Sequence, residues 1–274
     1  MPLLDLSSYL ERIGMKDVPL SLEGLSRLQS AQTRAIPFEN IDPLLGLEPD
    51  VSSEAVFAKL LNDFRGGYCF ELNMLYQSAL DAFGFQPVRR LARVRMGAAA
   101  GGPRTHLTMV CTIDGASYLT DAGFGGPGPI GPLLLDEDAV QNAPNGQFRL
   151  WTDAVSGERV LSRLEGESEF PLYGFDNAYV GDPDIEAANF LCATWPGSPF
   201  PTHLMVNGYD GDTRIGLFDT HMTMESGGKN ERREISGAVE LWEVLRNRLG
   251  INIDSAQADR VWARITPAPG EREG

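Results

Sequence analysis

The chain has 274 residues, of which 42% are hydrophobic and 22% charged, as in an ordinary globular protein rather than a disordered or fibrous one. Its formal net charge of −15 argues against nucleic-acid and anionic-membrane partners, because such partners require clustered basic side chains. The sequence contains neither an apolar run of membrane-spanning length nor the pattern of a signal peptide, so we expect a cytoplasmic protein.

Residues 1–84 show helical periodicity throughout. After a first apolar stripe that begins near the chain start, a second one follows Ser21, which is a good N-cap. A third helix opens at Ser53, and a fourth starts at or beside Cys69 and ends at Gly84. The first unit is therefore predicted to be helical.

Strand patterns replace helical ones after Pro87, in VRRLARVRM, THLTMVCTI, SYLTDAGF and FRLWTDAVSGERVLSRL. These segments predict a second, all-β unit over residues 85–187. In residues 188–274, two strands flank DGD and a helix follows, with Ser236 as its cap and Gly250 as its stop, so the third unit is predicted to be mixed α/β. The terminal PAPGEREG is expected to be frayed.

Local charge and cysteine content constrain binding. Five arginines between positions 89 and 104 could together hold a small anion: Arg89, Arg90, Arg93, Arg95 and Arg104. Three separated cysteines without CxxC spacing make a disulfide framework or a structural zinc site improbable. Cys111 and Cys192 are interpreted as small buried hydrophobic residues.

RGGYCFELN places Cys69 where a helix begins, next to Gly66 and Gly67. The unpaired amides of a helix N-terminus stabilise a thiolate, so we expect the pKa of this thiol to be lowered. The glycines allow a tight turn and let a substrate carbonyl approach the sulfur. The alternative is a buried cysteine whose glycines only form the turn.

A nucleophilic thiol needs a base, and His106 lies on a strand that precedes the hairpin signal Asp114-Gly115. A two-residue loop makes His106 and Asp121 diagonal neighbours on one face, and a four-residue loop places them directly opposite each other. A loop of intermediate length sends them to opposite faces. Cys, His and Asp follow one another in the order of a cysteine triad, although His106 and Asp121 could each have only a local structural role.

Other motifs are less informative. GFGGPG matches a dinucleotide-binding pattern, but the prolines that follow prevent a helix from starting there, so we interpret it as a loop. Three scattered histidines make a catalytic metal improbable, and His203 and His221 are interpreted as surface or packing residues. Three phenylalanines beside Pro or Gly could line a pocket or anchor loops: Phe38, Phe124 and Phe200.

IPFENID, RGGYCFELN, THL, YLTDAGFGG and AANFLCATWPGSPF occur in this order and together resemble the arylamine N-acetyltransferase family across most of the chain. The resemblance implies an α+β multidomain fold with a cysteine-protease-like Cys-His-Asp core. Its parts are a helical bundle (1–84), a central antiparallel β-barrel (85–187) and a C-terminal α/β lid (188–274).

The resemblance also implies functions for individual residues. Cys69, His106 and Asp121 would form the triad, and acetyl-CoA would be the acyl donor, with no permanently bound cofactor and no metal. The family's acceptors are arylamines, hydrazines and arylhydroxylamines. The remaining implied roles are acceptor contacts by Phe38, Phe124 and Phe200, a CoA border at Gly125 and Gly126, and a structural ion pair of Arg65 with Glu39. Trp195 departs from the family pattern, which often has His at this place.

Three other functions fit parts of the sequence. A related amide synthase closes macrolactams from a carrier-bound polyketide and would need a wider, apolar tunnel. A thiol hydrolase or transamidase could use the same triad. A binding protein without catalysis would have an unreactive Cys69.

Overall fold

A computed structural model describes residues 5–166 and 168–266, so the terminal PAPGEREG lies outside the described residues. The N-terminal part contains five helices and one short strand. They are α1 (Leu6–Arg12), α2 (Leu22–Ala35), β1 (Phe38–Glu39), α3 (Ile41–Leu44), α4 (Ser53–Phe57), which continues as a π-helical turn over Ala58–Asn62, and α5 (Cys69–Ala82).

The four predicted helices are confirmed. Ser21 caps α2 by accepting a hydrogen bond from the Gly24 amide at 3.1 Å. The chain leaves α5 at Gly84, whose φ of +87° is favourable for glycine. Helix α3 and strand β1 were not predicted, because they are too short to show a hydrophobic period.

An eight-stranded antiparallel sheet follows. Its strands are β2 (Val88–Val94), β3 (Arg104–Ile113), β4 (Ala116–Thr120), β5 (Leu133–Leu134), β6 (Gln141–Ala143), β7 (Gly146–Thr152), β8 (Arg159–Glu165) and β9 (Ser168–Phe175), in the order β5-β4-β3-β2-β9-β8-β7-β6. The Gln141 side chain joins the two edges, since it accepts from the Leu134 amide at 2.8 Å and donates to the Leu134 carbonyl at 2.9 Å. The sheet is therefore a nearly closed barrel.

Strand β3 is buried on both faces, and this double burial positions the site. Val110 packs inside the barrel with Leu119, Leu150 and other apolar side chains. Leu107 and Met109 point the other way, into the core shared with the helices. Because neighbouring residues of a strand face opposite sides, β3 links the barrel to α5.

The C-terminal part contains a five-stranded sheet and three helices. In chain order they are α6 (Asp182–Thr194), β10 (Met205–Asp210), β11 (Thr213–Phe218), β12 (His221–Ser226), β13 (Lys229–Glu234), α7 (Ala238–Glu243), which continues as a π-helical turn over Val244–Arg248, and α8 (Ser255–Ile265). The strand order is β1-β10-β11-β12-β13. The predicted strands about DGD are confirmed, whereas α6, β12, β13 and α8 were not predicted.

The prediction that Ser236 caps the helix α7 is wrong. Gly237 is the N-cap, and the Ser236 hydroxyl donates instead to the Glu240 carboxylate at 2.6 Å. The Ser236 amide also donates to this carboxylate at 2.7 Å, so Glu240 binds the residue before the N-cap through both its hydroxyl and its amide.

Strand β1 brings distant parts of the chain together. Phe38 pairs with Asn207 of β10 in antiparallel fashion and forms a parallel bridge with Gly67. Phe38 therefore lies in a strand and not in a loop, and it connects the C-terminal sheet to the turn that precedes Cys69. In the part of the chain that the structure describes, every helix is too short or too polar to cross a bilayer.

Candidate active site

Cys69 is the first residue of α5 and is buried. The Glu71 carboxylate, two residues further along, accepts from the Tyr68 amide at 3.1 Å and thereby closes the end of the helix. The turn before it is held by the Glu39 amide, which donates to the Gly67 carbonyl at 2.9 Å. A Cβ at Gly66 would lie 2.4 Å from the Pro37 carbonyl oxygen, so only glycine fits there.

His106 and Asp121 are brought together by the β3–β4 hairpin. The pairs Ile113 with Ala116 and Met109 with Thr120 show the two-residue loop, which is one of the two registers that place both side chains on one face. His106 Nε2 lies 2.6 Å from an Asp121 carboxylate oxygen, and both side chains are buried. Because Asp121 contacts Nε2, Nδ1 is the ring nitrogen left for another partner.

Asp121 has further donors around it. The Tyr173 hydroxyl donates to Oδ2 at 2.8 Å, and Asn73 Nδ2 and the Gly123 amide donate to Oδ1 at 3.0 and 2.9 Å. Burial alone would raise the pKa of Asp121, but His106, Asn73 and the Gly123 amide hold that pKa below its usual value. The carboxyl group is therefore ionised and fixed in orientation.

The expectation of a lowered pKa at Cys69 is wrong. Burial raises the pKa of the Cys69 thiol well above its usual value, and Cys192 and Asp121 act in the same direction. Hydrogen bonds from the Leu107 and Phe70 amides oppose this rise without reversing it. Desolvation thus outweighs the helix N-terminus, and the thiol donates to the Thr105 carbonyl at 3.6 Å.

A cavity of about 700 Å³ lies between the three parts of the chain. Cys69 and His106 both border it, and Asp121 lies behind the imidazole. All three phenylalanines singled out in the sequence also line this cavity, together with the two loop glycines: Phe38, Phe124, Phe200, Gly125 and Gly126. The structure therefore gathers Cys69, His106 and these aromatic side chains around one space.

The aromatic rings contact one another and the imidazole. Phe124 meets the His106 ring edge to face at 5.0 Å between centroids, and Phe38 lies 6.1 Å from Phe200. Gly125 has a φ of +69°, and a Cβ there would lie 2.2 Å from the Phe38 ring. The GFGGPG segment forms no helix, as predicted. At Gly125 its backbone packs directly against the Phe38 ring.

Trp195 is at the C-cap of α6, is 43% exposed and borders the same cavity. Its ring covers Gly197, where a Cβ would lie 2.5 Å from the indole. The indole of Trp195 therefore shapes the cavity mouth.

Arg65 and Glu39 form an ion pair at 2.7 Å beneath the Cys69 turn. The pair belongs to a larger buried network, because Lys59 lies 2.6 Å from both Glu71 and Asp42, and Asp42 also contacts Arg65. Three carboxylates thus share two cations. Glu71 is buried, and the positive charge of Lys59 only partly offsets the cost of burying its carboxylate. The pKa of Glu71 is therefore raised to about 7.

The predicted cluster of free arginines does not form. Four of the five are paired with carboxylates: Arg89 with Asp182, Arg93 with Glu158, Arg95 with Asp153 and Glu158, and Arg104 with Asp176. Arg90 donates to the Arg89 carbonyl at 2.9 Å. Their charges are therefore largely neutralised within the barrel wall.

Sequence reasoning missed several contacts. His203 Nδ1 lies 2.8 Å from an Asp219 oxygen, although no spacing signal linked them, and His221 borders the cavity. Cys192, interpreted as a packing residue, also borders the cavity. Within residues 5–166 and 168–266, no group of three or more His, Cys, Asp or Glu side chains is placed to hold a metal ion.

Comparison with known proteins identifies the class. A family model described as N-acetyltransferase matches residues 21–258, which is most of the chain, so the protein is an acyltransferase. An arylamine N-acetyltransferase of Mycolicibacterium smegmatis is 35% identical over 269 residues, covering 96% of this chain and 97% of the relative. An arylamine N-acetyltransferase / N-hydroxyarylamine O-acetyltransferase of Salmonella typhimurium is 32% identical, covering 92% and 90%.

The structural comparison agrees. The arylamine N-acetyltransferase of Mycobacterium marinum in complex with CoA superposes with a TM-score of 0.88 at 31% identity, over 95% of this chain and 99% of that one. The chain belongs to the arylamine N-acetyltransferase family.

Proposed function

We propose that the protein transfers an acetyl group from acetyl-CoA to an arylamine, a hydrazine or an arylhydroxylamine through an acyl-cysteine at Cys69. The observation that carries this proposal is the buried His106–Asp121 contact of 2.6 Å on the wall of the cavity that Cys69 borders. Family membership supports the same chemistry, since relatives carry arylamine N-acetyltransferase activity in their names.

In the first half-reaction Cys69 attacks the thioester carbonyl. Because burial disfavours an isolated thiolate, the thiol proton has to move to a nearby base as the sulfur attacks, and His106 Nδ1 is the nitrogen available. Asp121 holds the proton on Nε2 and stabilises the imidazolium that forms. Cys69 then carries the acetyl group, and CoA leaves as a thiol with the proton from His106.

In the second half-reaction an amine nitrogen attacks the acetyl-cysteine. His106 takes the proton of the amine, and the tetrahedral intermediate collapses to an amide and the free thiol. The cycle is therefore ping-pong: the donor product leaves before the acceptor reacts. Backbone amides near Cys69 are the donors we expect to stabilise the oxyanion.

The cavity suits both substrates. Phe38, Phe124 and Phe200 provide apolar surface for the ring of the acceptor. Gly125 and Gly126 would border the CoA pyrophosphate. Arg232 also lines the cavity and brings positive charge for the donor phosphates, whereas the charge of Arg214 is paired with Glu225 at 2.9 Å. The chemistry requires neither a metal nor a permanently bound cofactor, and the cytoplasmic location stays a prediction of the sequence.

Mass spectrometry of the intact protein tests the mechanism. After incubation with acetyl-CoA alone, we expect one acetyl group on Cys69, which a later addition of an arylamine removes as the acetylated amine. Cys69→Ser should take up no acetyl group, whereas the matched variant Cys111→Ser should be acetylated normally, because Cys111 lies in β3 away from the cavity lining.

The same experiment separates the alternatives. Acylation by a thioester that mimics a carrier protein, without acylation by acetyl-CoA, would favour macrolactam formation. Rapid loss of the acetyl group to water without any amine would favour a hydrolase. A Cys69 that reacts with neither donor, nor with iodoacetamide at neutral pH, would overturn the enzymatic proposal.

A further inference from the structure

Two cysteine side chains meet at a single backbone oxygen. Cys69 Sγ lies 3.6 Å and Cys192 Sγ 3.3 Å from the carbonyl oxygen of Thr105. The two sulfurs are therefore no more than about 7 Å apart, although one comes from the start of α5 and the other from the last turns of α6. Thr105 immediately precedes His106, and the two cysteines and His106 border the same cavity.

Both thiols are shielded from bulk water but open to the cavity. Cys69 is 3% and Cys192 1% exposed, yet both border the space of about 700 Å³ that leads to the surface. A small oxidant that enters this cavity reaches both sulfurs. Cys111, the third cysteine, is also buried but does not border the cavity.

The two thiols differ in their surroundings. Cys69 borders the cavity together with His106, which provides a base to assist its ionisation. Burial raises the pKa of both thiols, to about 12 at Cys192, but the Leu107 and Phe70 amides donate to the Cys69 sulfur and oppose the rise there. Cys69 is accordingly the thiol that reacts first with an electrophile, and Cys192 remains a thiol that can react afterwards.

We propose that Cys192 is a resolving cysteine, which captures an oxidised Cys69 in a reversible disulfide. In the first step the Cys69 thiol reacts with hydrogen peroxide to give a sulfenic acid and water. In the second step the Cys192 sulfur attacks the sulfenic sulfur, the S–O bond breaks, and the hydroxyl leaves with the thiol proton as a second water. The balance is two thiols and one peroxide to one disulfide and two waters.

This disulfide would have two consequences for the enzyme. With its sulfur in a disulfide, Cys69 cannot accept an acyl group. The disulfide also stops further oxidation of Cys69 to sulfinic acid, from which thiols cannot restore it. A rotation of one or both χ1 angles must close the remaining gap between the sulfurs, because an S–S bond is about 2.05 Å long.

The inference depends on the two thiols and not on acetyl transfer, so its test does not use transferase activity. The full chain is treated with hydrogen peroxide, quenched with catalase, alkylated, digested without reduction and analysed by mass spectrometry. We expect a peptide pair linked between Cys69 and Cys192 that dithiothreitol separates into two free thiols. In Cys192→Ser, sulfinic acid should accumulate on Cys69 several times faster than in the wild type.

Cys111→Ser is the matched control, because it removes one buried thiol that does not border the cavity, and it should behave as the wild type. If peroxide oxidises Cys69 in the wild type without producing the linked pair, or if sulfinic acid forms equally fast with and without Cys192, the inference is wrong. A disulfide found only between two chains would also overturn it.

A reagent for thiol pairs provides a measurement that needs no variant. Phenylarsine oxide bridges two neighbouring thiols and is released by a dithiol. We expect one phenylarsenic group per chain, with Cys69 and Cys192 both protected from later alkylation and Cys111 unaffected by the reagent. Protection of neither or only one of the two would show that the sulfurs cannot approach each other.

Discussion

One imidazole has contacts on several sides of its ring. Nε2 of His106 contacts the Asp121 carboxylate, and the ring packs against Tyr173 and Phe124 at 4.8 and 5.0 Å. These contacts fix its orientation, because the ring cannot turn without losing a buried hydrogen bond. The proposed mechanism therefore depends on Asp121, which orients the ring, as well as on His106, which acts as the base.

Asp121→Asn tests this requirement. The amide of Asn would donate to Nε2, hold the wrong tautomer and fail to stabilise an imidazolium, so we expect kcat to fall on the order of 10³- to 10⁴-fold, as for the orienting carboxylate of serine proteases. Steady-state release of CoA measures this fall, and circular dichroism checks folding.

Asp138→Asn is the matched control for this substitution. Asp138 is exposed and pairs with Arg159 on the surface, so its replacement should leave kcat unchanged. A kcat for Asp121→Asn within tenfold of the wild type would remove Asp121 from the proposed mechanism.

At the scale of single residues, the sequence identified the candidate site residues but not all of their contacts. The hairpin signal linked His106 to Asp121, because both belong to neighbouring strands. Nothing in the sequence linked Cys192 or Tyr173 to this pair, since their contacts arise from packing between elements far apart in the chain. The thiol pKa was mispredicted because burial cannot be judged from a helix start alone.

At the element scale, the β3–β4 hairpin sets the register on which the His106–Asp121 contact depends. Its loop residues Asp114 and Gly115 have φ angles of +52° and +82°. Both values suit the tight turn that an Asp-Gly pair favours. A local turn signal thus determines the placement of two functional side chains.

Gly115→Ala should destabilise the protein by about 1–2 kcal/mol, because an L residue is strained at positive φ. The added methyl group meets nothing within 4 Å, so the cost is conformational and not steric. Urea unfolding measures it. Gly102→Ala, whose φ lies outside the left-handed region and whose surroundings are equally open, serves as the control and should cost much less; equal losses for the two variants would contradict a conformational cost at Gly115.

Helix α5 begins above the buried network of Glu39, Asp42, Lys59, Arg65 and Glu71. The pKa of Glu71 is about 7 in the folded protein and about 4.3 in an unfolded chain. The folded state therefore binds a proton more tightly, so this group's contribution to stability is fully present below about pH 4 and is lost as the pH rises through about 7.

Glu71→Gln should remove this dependence. Between about pH 5 and pH 8 the free energy of unfolding of the wild type should fall relative to that of the variant, by up to the order of 3 kcal/mol. Chemical denaturation at several pH values measures the difference. Glu54→Gln, at an exposed position of α4, should parallel the wild type; a wild type that gains stability relative to Glu71→Gln over this range would contradict the sign.

At the scale of the whole molecule, hydrophobic periodicity predicted a succession of helices, an all-β part and a mixed α/β part. The missed elements have physical explanations. Strand β13 is exposed at all of its residues and so carries no apolar alternation. The barrel was implied only by resemblance, because closure depends on which strands meet, and the Gln141 side chain that joins its edges carries no signal of that contact in the sequence.

The net charge of −15 also has a consequence for the whole fold. Like charges repel in the compact state, so screening them should stabilise it. We expect the midpoint of thermal unfolding to rise by a few degrees between about 10 and 150 mM NaCl, as the Debye length shortens from about 30 to 8 Å. KCl should raise the midpoint as NaCl does, whereas sucrose at the same concentration, which carries no charge, should leave it unchanged. A midpoint that falls with salt would contradict the prediction.

The position of Phe38 has a consequence for synthesis on the ribosome. One neighbour of this residue, Gly67, emerges soon after it, but its other partner, Asn207, emerges only when three quarters of the chain has been made. The aromatic wall beside Cys69 therefore stays incomplete on a nascent polypeptide, even after the barrel has formed. A ribosome stalled before β10 should carry a chain whose Cys69 reacts with bulky alkylating reagents faster than in the finished protein, where they reach the thiol only through the cavity.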